Sequence, residues 1–436
     1  MKMIFKKIIV LILRWEAKLV IRKYKPKIIT ITGSVGKTST KDALYAVISG
    51  FSYVRKSAKS YNSEIGLPLT VLGRGSGWNN PLLWLRNILH GLSLIIWPHE
   101  YPKWLVLEVG VGKPGDMRRT ASWLKSDAVV LTAIGETPVH IEFFNSRKHL
   151  IEEKFELLRT LKKDGLLVLN ADDADLLLAK DRIKNIFIAY GQSKEAEVRG
   201  SGRQIDYDQE GKPRGIIFRV DAGGASLPVT ISGALGRNYM YAGLAALAMA
   251  FGMKWNMLHA ADRLKDYKVS PGRMRVLEGK EGSLLIDDTY NSSPQACKSA
   301  LETLKEINKS GRKIAILGDM LELGKYTDEA HRQIGALARE IADVLFAVGP
   351  RAKFFREGAL EAGLPAQAGM VPENIFEFSS AKEAAEFART FIKENDIILI
   401  KGSQGMRLER VVEALLLNPE KKKELLVRQD KEWQNK

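Results

Sequence analysis

Cysteine is almost absent from this chain: Cys297 is the only one in 436 residues. That excludes an intrachain disulfide and every cysteine-cluster zinc site, and it fits a reducing, cytosolic setting. Long apolar runs are missing as well. The run from Ile8 to Leu13 falls far short of the roughly 20 residues that a membrane-spanning helix needs. No small-residue cleavage site follows it, so neither a transmembrane anchor nor a secretory signal is expected. No recognised nucleic-acid module or aromatic-basic alternation accompanies the net charge of +16, and nucleic acid is not expected as a partner. There is no internal repeat and no low-complexity tract. Hydrophobic content of 45% and charged content of 27% are globular, and the length allows two or three domains with cores of their own.

Acids are scarce at the front. The first 27 residues hold nine Lys/Arg and a single acid, Glu16. Ile4, Ile8, Leu11, Ile12, Trp15 and Leu19 recur there at helical spacing, which predicts a basic amphipathic helix. Two outcomes stay open. The helix lies on an anionic membrane surface, or it packs on the body of the protein with its lysines solvated.

What the chain does have is a phosphate cradle. A β-branched run, Ile28 to Thr32, leads into Gly33-Ser34-Val35-Gly36-Lys37-Thr38-Ser39, and a helix-like segment follows from Lys41 to Val47. A strand, a glycine turn and a helix start aim backbone N–H groups and the positive helix end at phosphate oxygens. Lys37 is then placed for the β/γ-phosphates and the Thr38 hydroxyl for Mg²⁺. The generic pattern has glycine where this chain has Ile31, so the loop is a variant. An ordinary Gly/Ser turn is the plain alternative; the Gly-Lys-Thr-Ser order after a strand favours a nucleoside triphosphate.

Further strand-like runs occur at Trp104–Val109, Ala128–Thr132 and Leu166–Asn170, with helical stretches between them. This alternation predicts a parallel sheet, whose strand ends gather ligand groups. Glu108 sits at one such end and can reach Mg²⁺ beside the loop. Residues 78 to 104 carry four tryptophans and many leucines, read as a core helix hairpin or as a second membrane-facing surface. From Ile205 to Val220 two strands flank a Glu-Gly-Lys-Pro turn, an antiparallel ribbon on the α/β body. After Arg273 a second α/β unit is expected, with strands near Ser283–Asp287, Lys313–Leu317, Val344–Val348 and Asp396–Ile400. The divisions expected are a helix over 1–27, a central domain over 28–270, a second domain over 271–420, and a charged, frayed tail over 421–436.

Six segments, in order, resemble the Mur ligase family of ATP-dependent amide-forming enzymes. They are Thr32-Gly-Ser-Val-Gly-Lys-Thr38, Tyr61-Asn-Ser-Glu-Ile-Gly-Leu-Pro-Leu69, Glu108-Val-Gly, Ile286-Asp-Asp-Thr-Tyr-Asn-Ser-Ser-Pro294, Leu317-Gly-Asp-Met-Leu-Glu-Leu-Gly324 and Lys401-Gly-Ser-Gln-Gly-Met-Arg-Leu-Glu-Arg410. The second and fifth are similar to the branch that joins D-alanyl-D-alanine to a muramoyl-tripeptide cell-wall precursor. The resemblance implies a central P-loop ATPase-like domain, with parallel sheet plus antiparallel ribbon, and a Rossmann-like α/β C-terminal domain. It also implies ATP and Mg²⁺ as cofactors and a reaction through an acyl phosphate. Gly33, Ser34, Val35, Gly36, Lys37, Thr38 and Ser39 would bind the nucleotide, with Arg273, Asp288, Tyr290 and Asn291 across the cleft. Lys37, Glu108, His140 and Lys154 would be catalytic, and Thr38, Glu108, His140 and Lys154 would serve the metal ions. In the family the lysine matched by Lys154 is carbamylated; unaided, Lys154 reads as a solvated helix lysine among carboxylates. Lys401 and Ser403 would face the cleft.

Two departures accompany the resemblance. The family's Gly-Arg-His-Asn-x-x-Asn-Ala element reads Gly236-Arg237-Asn238-Tyr239-Met240-Tyr241-Ala242, so the adenine contact is expected to differ. Enzymes of this type also carry a uridine-nucleotide-binding domain before the phosphate loop, where this sequence has about 27 residues. The grip on the substrate is then expected from another protein, from the peptide alone, or from presentation on a membrane. A cytoplasmic protein, peripheral on the inner face of the membrane, is the expected setting. The competing readings are a Mur-like ligase with another acceptor and a noncatalytic nucleotide-binding partner at the membrane.

Overall fold

Short β-branched runs alternating with helices build two sheets, and the site lies where their strand ends face each other. The computed structural model describes residues 2–57, 61–135, 141–308, 310–361, 370–430 and 433. The first sheet has nine strands: β1 (Lys27–Thr32), β2 (Val54–Lys56), β3 (Trp104–Glu108), β4 (Ser126–Leu131), β5 (Leu161–Asn170), β6 (Phe187–Gly191), β7 (Val198–Tyr207), β8 (Pro213–Ala222) and β9 (Ala225–Ser232). Their order is β2-β3-β1-β4-β5-β6-β7-β8-β9. Neighbours are parallel as far as β7, and β7, β8 and β9 pair antiparallel. The expected two-stranded ribbon is thus a three-stranded continuation of the parallel sheet. The second sheet runs β10 (Arg275–Glu278), β11 (Leu284–Asp288), β15 (Ile397–Lys401), β12 (Lys313–Gly318), β13 (Val344–Val348) and β14 (Ile375–Phe378). Only its β10–β11 pair is antiparallel.

Parallel strands are buried on both faces, so their side chains alternate between two apolar layers. Ile29 and Ile31 of β1 join a core with Leu44 and Val47 of α2 (Lys37–Ser49) and the helix Arg237–Gly252. Ile28 joins a second core with Leu105 and Leu107, under α1 (Lys2–Tyr24) and α3 (Gly66–Leu72). The front helix does pack on the body. It does so through Ile9, Leu13, Ala17 and Val20, which are buried, whereas Ile8, Leu11 and Trp15 of the stripe read from the sequence face outward. One helix therefore carries two apolar faces.

Residues 78 to 104 do not form a helix hairpin. They hold one helix, α4 (Pro81–Ile96), capped by the Asn80 side chain and packed against α1. Lys23 Nζ donates to the carbonyls of Leu94, Ile95 and Trp97 at 3.0, 2.9 and 2.6 Å, closing the end of α4 where carbonyls lack helical partners. The tail differs from expectation too. Leu426 is buried, and Arg428 pairs with Glu409 Oε2 at 2.9 Å and donates to the Tyr290 carbonyl at 3.2 Å. Residues 426–428 are docked rather than frayed.

Candidate active site

Strand register decides which side chains meet. β1 and β3 run parallel with Ile31 opposite Glu108, so the phosphate loop leaves β1 beside the Glu108 carboxylate. Gly33 is required there, because a Cβ would lie 2.0 Å from Thr132 Oγ1 and its φ is +151°. Gly36 has φ +84° at the start of α2, where the first N–H groups have no intrahelical acceptor and the helix end is positive. The loop is held to the sheet by Ser34 N–H, which donates to the Ala133 carbonyl at 2.6 Å.

Lys37 Nζ curls back over this turn, donating to the carbonyls of Gly33 at 2.8 Å and Ser34 at 3.3 Å. Burial lowers its pKa, the Glu108 carboxylate pulls it back up, and Arg273 adds to the lowering. Thr38 Oγ1 donates to Glu108 Oε2 at 2.9 Å, and Asn62 Nδ2 donates to Glu108 Oε1 at 3.3 Å. A hydroxyl and a carboxylate at the mouth of an N–H cradle form the hard oxygen set that Mg²⁺ takes beside phosphate. The site therefore fits that ion.

Lys154 is no solvated lysine. It lies on α6 (Arg147–Phe155), is buried, and donates to the Gly33 carbonyl at 3.2 Å. Burial first, and the neighbouring Lys37 cation second, push its pKa well below the ordinary range, with Glu153 opposing. Glu153 itself turns away to cap α5 (Asp116–Ala121), accepting from Gly115 N–H at 3.0 Å and Met117 N–H at 2.8 Å. His140 lies outside the described residues.

The second sheet closes the cleft. Asp288 and Lys401 stand opposite each other at the ends of parallel β11 and β15. Lys401 Nζ donates to Asp288 Oδ2 at 2.6 Å and to the Asn291 carbonyl at 3.0 Å. Arg273 reaches across the cleft to Thr38 Oγ1 at 3.0 Å, and its guanidinium lies 4.0 Å from the Tyr290 ring centre. Asp287 is the structural member of the acidic pair. It accepts from Gly272 N–H and Thr289, and burial raises its pKa to about 6. Ser403 is buried and accepts from Leu321 N–H at 2.9 Å, a backbone brace rather than a cleft group. Tyr241 turns from the cleft to hydrogen-bond Asp172 at 2.5 Å, while Asn238 remains on the cleft wall.

Of the residues expected from sequence, the loop, Lys37, Thr38, Glu108, Lys154, Arg273, Asp288, Tyr290 and Asn291 are thus gathered about one cleft. Asn62 stood only within a motif, whereas Lys401 does face the cleft as expected. Their direct bonds to Glu108 and Asp288 come from the fold.

Two family models match the chain: the Mur ligase middle domain over residues 93–250, and the Mur ligase, glutamate ligase domain over residues 272–404. The UDP-N-acetylmuramoyl-tripeptide–D-alanyl-D-alanine ligase of Bacillus subtilis (strain 168) is 28% identical over 407 residues, covering 92% of this chain and 79% of the relative. The crystal structure of MurF ligase from Thermotoga maritima in complex with ADP is similar at a TM-score of 0.75 and 26% identity, over 95% of this chain and 84% of that one. Folylpolyglutamate synthase of Mycobacterium tuberculosis shares the fold at a TM-score of 0.61 and 13% identity, over 90% of this chain and 93% of that one.

Proposed function

The chain belongs to the Mur ligase family of ATP-dependent amide ligases, and on that premise we propose that it adds D-alanyl-D-alanine to a muramoyl-tripeptide precursor of the cell wall. The substrates are those named for its relatives in Bacillus subtilis and Escherichia coli. The observation that carries the reading is convergence: Lys37 and Thr38 of α2 and Glu108 of β3 meet Arg273, just before β10, and the Asp288–Lys401 pair of the second sheet at one cleft. We also propose 1–27, 28–270, 271–420 and 421–436 as the working divisions of the chain.

The chemistry follows from the placement. The tripeptide carboxylate attacks the γ-phosphorus of ATP; the bond from that phosphorus to the bridging oxygen breaks, and ADP leaves. The acyl phosphate then loses phosphate as the amine of the dipeptide attacks its carbonyl carbon and gives up a proton. In the first step charge spreads over the transferring phosphoryl oxygens, and Lys37 with the N–H groups of α2 stabilises it there. Thr38 and Glu108 would hold Mg²⁺, which when bound neutralises phosphate charge. Arg273 approaches from the second sheet, so closing of the two halves completes the charge cluster. Lys154, whose pKa burial pushes well below the ordinary range, is suited to add its amine to CO₂ and lose a proton, becoming an anionic carbamate.

A cytoplasmic position, peripheral on the inner face of the membrane, belongs to the same reading, since ATP is the phosphoryl donor and the front helix turns Ile8, Leu11 and Trp15 outward. Purified protein with ATP, Mg²⁺, UDP-N-acetylmuramoyl-tripeptide and D-alanyl-D-alanine is expected to release phosphate and to yield a product heavier by one condensed dipeptide. ATP binding without product would transfer the proposal to another acceptor, or to one presented on a membrane.

A further inference from the structure

Two helices that cover one flank of the first sheet leave their outer sides bare. On α4, Leu82, Leu85, Leu89 and Ile96 are each more than half exposed, and so are Leu11 and Trp15 on α1. Each set falls on one stripe of its helix at spacings of three, four or seven residues. The helices are neighbours along their length: Glu16 of α1 lies against Gly91 of α4, and Lys23 bonds the last carbonyls of α4. The two stripes are therefore adjacent. An apolar surface of this kind, exposed on a folded domain, marks a binding face.

Charge identifies what it binds. Residues 78 to 99 contain no Asp or Glu, and the single acid of residues 1 to 27 is Glu16. Glu16 is fully buried between the helices, both of its oxygens lack a hydrogen-bond partner, and burial raises its pKa to about 7. The outward surface of the pair thus carries no carboxylate. It does carry cations: Lys7, Lys18, Arg22 and Arg86 are exposed on the same two helices. At the flank of α4, burial first and then the charges of Arg74, His99 and Arg55 lower the His90 pKa, and Arg86 adds to the lowering at Arg74. Leucines in the middle with cations around them and no acid complement an anionic lipid surface, where apolar side chains enter the acyl boundary and cations meet phosphates. No helix among the described residues is long and apolar enough to cross a membrane.

We propose that α1 and α4 form one composite lipid-docking face, on which the leucines of α4 enter the headgroup boundary while Lys7, Lys18, Arg22 and Arg86 contact anionic lipid phosphates. This deepens the peripheral reading above and does not depend on which peptide the cleft ligates. The lipid contact is assigned to α4 as much as to the front helix, and α1 serves both as a membrane contact and as the strut that holds α4 in place.

Sedimentation of the full chain with vesicles tests it. The protein is expected to pellet with equimolar phosphatidylglycerol and phosphatidylcholine vesicles, to stay in solution with phosphatidylcholine alone, and to be released by salt. The pair Leu85→Glu with Leu89→Glu, both on exposed positions, is expected to lower binding by about tenfold or more. Lys18→Gln with Arg22→Gln should lower it about fivefold for each cation removed. Phosphate release in solution should be the same for all variants, which also verifies their folding. Three outcomes overturn the proposal: no binding to the anionic vesicles, binding untouched by the leucine pair, or a stable dimer that the leucine pair dissociates. If no substrate supports phosphate release, the melting temperature replaces it as the folding control, and the vesicle result still decides this proposal separately from the ligase reading.

Discussion

Two carboxylates, the part-buried Asp288 in the cleft and the fully buried Glu16 between α1 and α4, show how differently this chain treats charge in two of its regions. Asp288 is answered by Lys401 at 2.6 Å and by Met274 N–H at 3.1 Å, so its carboxylate is paired and aimed. Glu16 is given no donor, and burial raises its pKa to about 7. In the cleft, charge is organised as fixed pairs about a place where phosphate charge must be stabilised. On the helix pair, the single carboxylate is withdrawn from the surface and the cations are exposed. Catalysis needs the first arrangement, because misplacing a cation by an ångström forfeits its effect. The lipid docking proposed for the helix pair would tolerate the second.

The sharpest contrast comes from removing one cation from each region. Lys37→Met is expected to lower phosphate release on the order of a thousandfold while leaving the fold intact, because its ammonium acts on the transferring group itself. Steady-state kinetics at saturating ATP measures this, and a loss below tenfold would detach Lys37 from the chemistry. Removing a single cation from the helix face is expected to leave that rate unchanged. The next effect is on stability. Lys401→Met leaves the part-buried Asp288 without its cation and is expected to cost about 3 kcal/mol. Combining it with Asp288→Asn should restore a large part, a coupling that a double-mutant cycle of unfolding free energies reads directly. Additive losses would mean the pair is not a unit. Arg428→Ala frees the Tyr290 carbonyl and leaves Glu409 without one of its partners; about 2 kcal/mol of stability should be lost. If the tail positions the nucleotide loop, KM for ATP should rise more than kcat falls.

Much of this was legible in the sequence, for reasons that particular residues make plain. Val344–Val348 was read to the residue, because an unbroken apolar run between helices has little choice but a buried parallel strand. The strand Ile375–Phe378 was missed: four residues with Glu377 among them carry no such signal. Lys37, Thr38 and Glu108 declared themselves through local order, a glycine turn and a strand end. The Asp288–Lys401 contact could not, since it depends on β11 and β15 being neighbours across 113 residues of sequence. Lys154 looked solvated because glutamates surround it in sequence, yet α6 points it inward while Glu153 is spent on capping α5. Residues 1–27 offered two readings; the buried Ile9, Leu13, Ala17 and Val20 bear out packing on the body, and the outward Ile8, Leu11 and Trp15 leave the membrane reading as a proposal.

The smallest expected effect tests the other half of the comparison. Glu16 is raised from its ordinary 4.5 to about 7 in the folded chain, so the folded state binds the proton more tightly than the unfolded one. Its contribution is fully present below the unfolded value, where both states are protonated, and it is lost as pH rises through the folded value. Glu16→Gln is neutral at every pH and escapes that loss. The two proteins should therefore be equally stable near about pH 4, and the variant more stable near about pH 8. The gain there is expected to be on the order of 2–3 kcal/mol, the value carried by a shift of that size. Urea unfolding of both proteins across that range gives the difference directly, and other titrating groups cancel between them. Parallel curves would mean that Glu16 finds a partner after all, and the helix pair would then handle its acid as the cleft does. A divergence between pH 4.5 and 7 would show that this region keeps its surface free of negative charge at a measurable cost in stability, one that the cleft, with its matched pairs, does not incur.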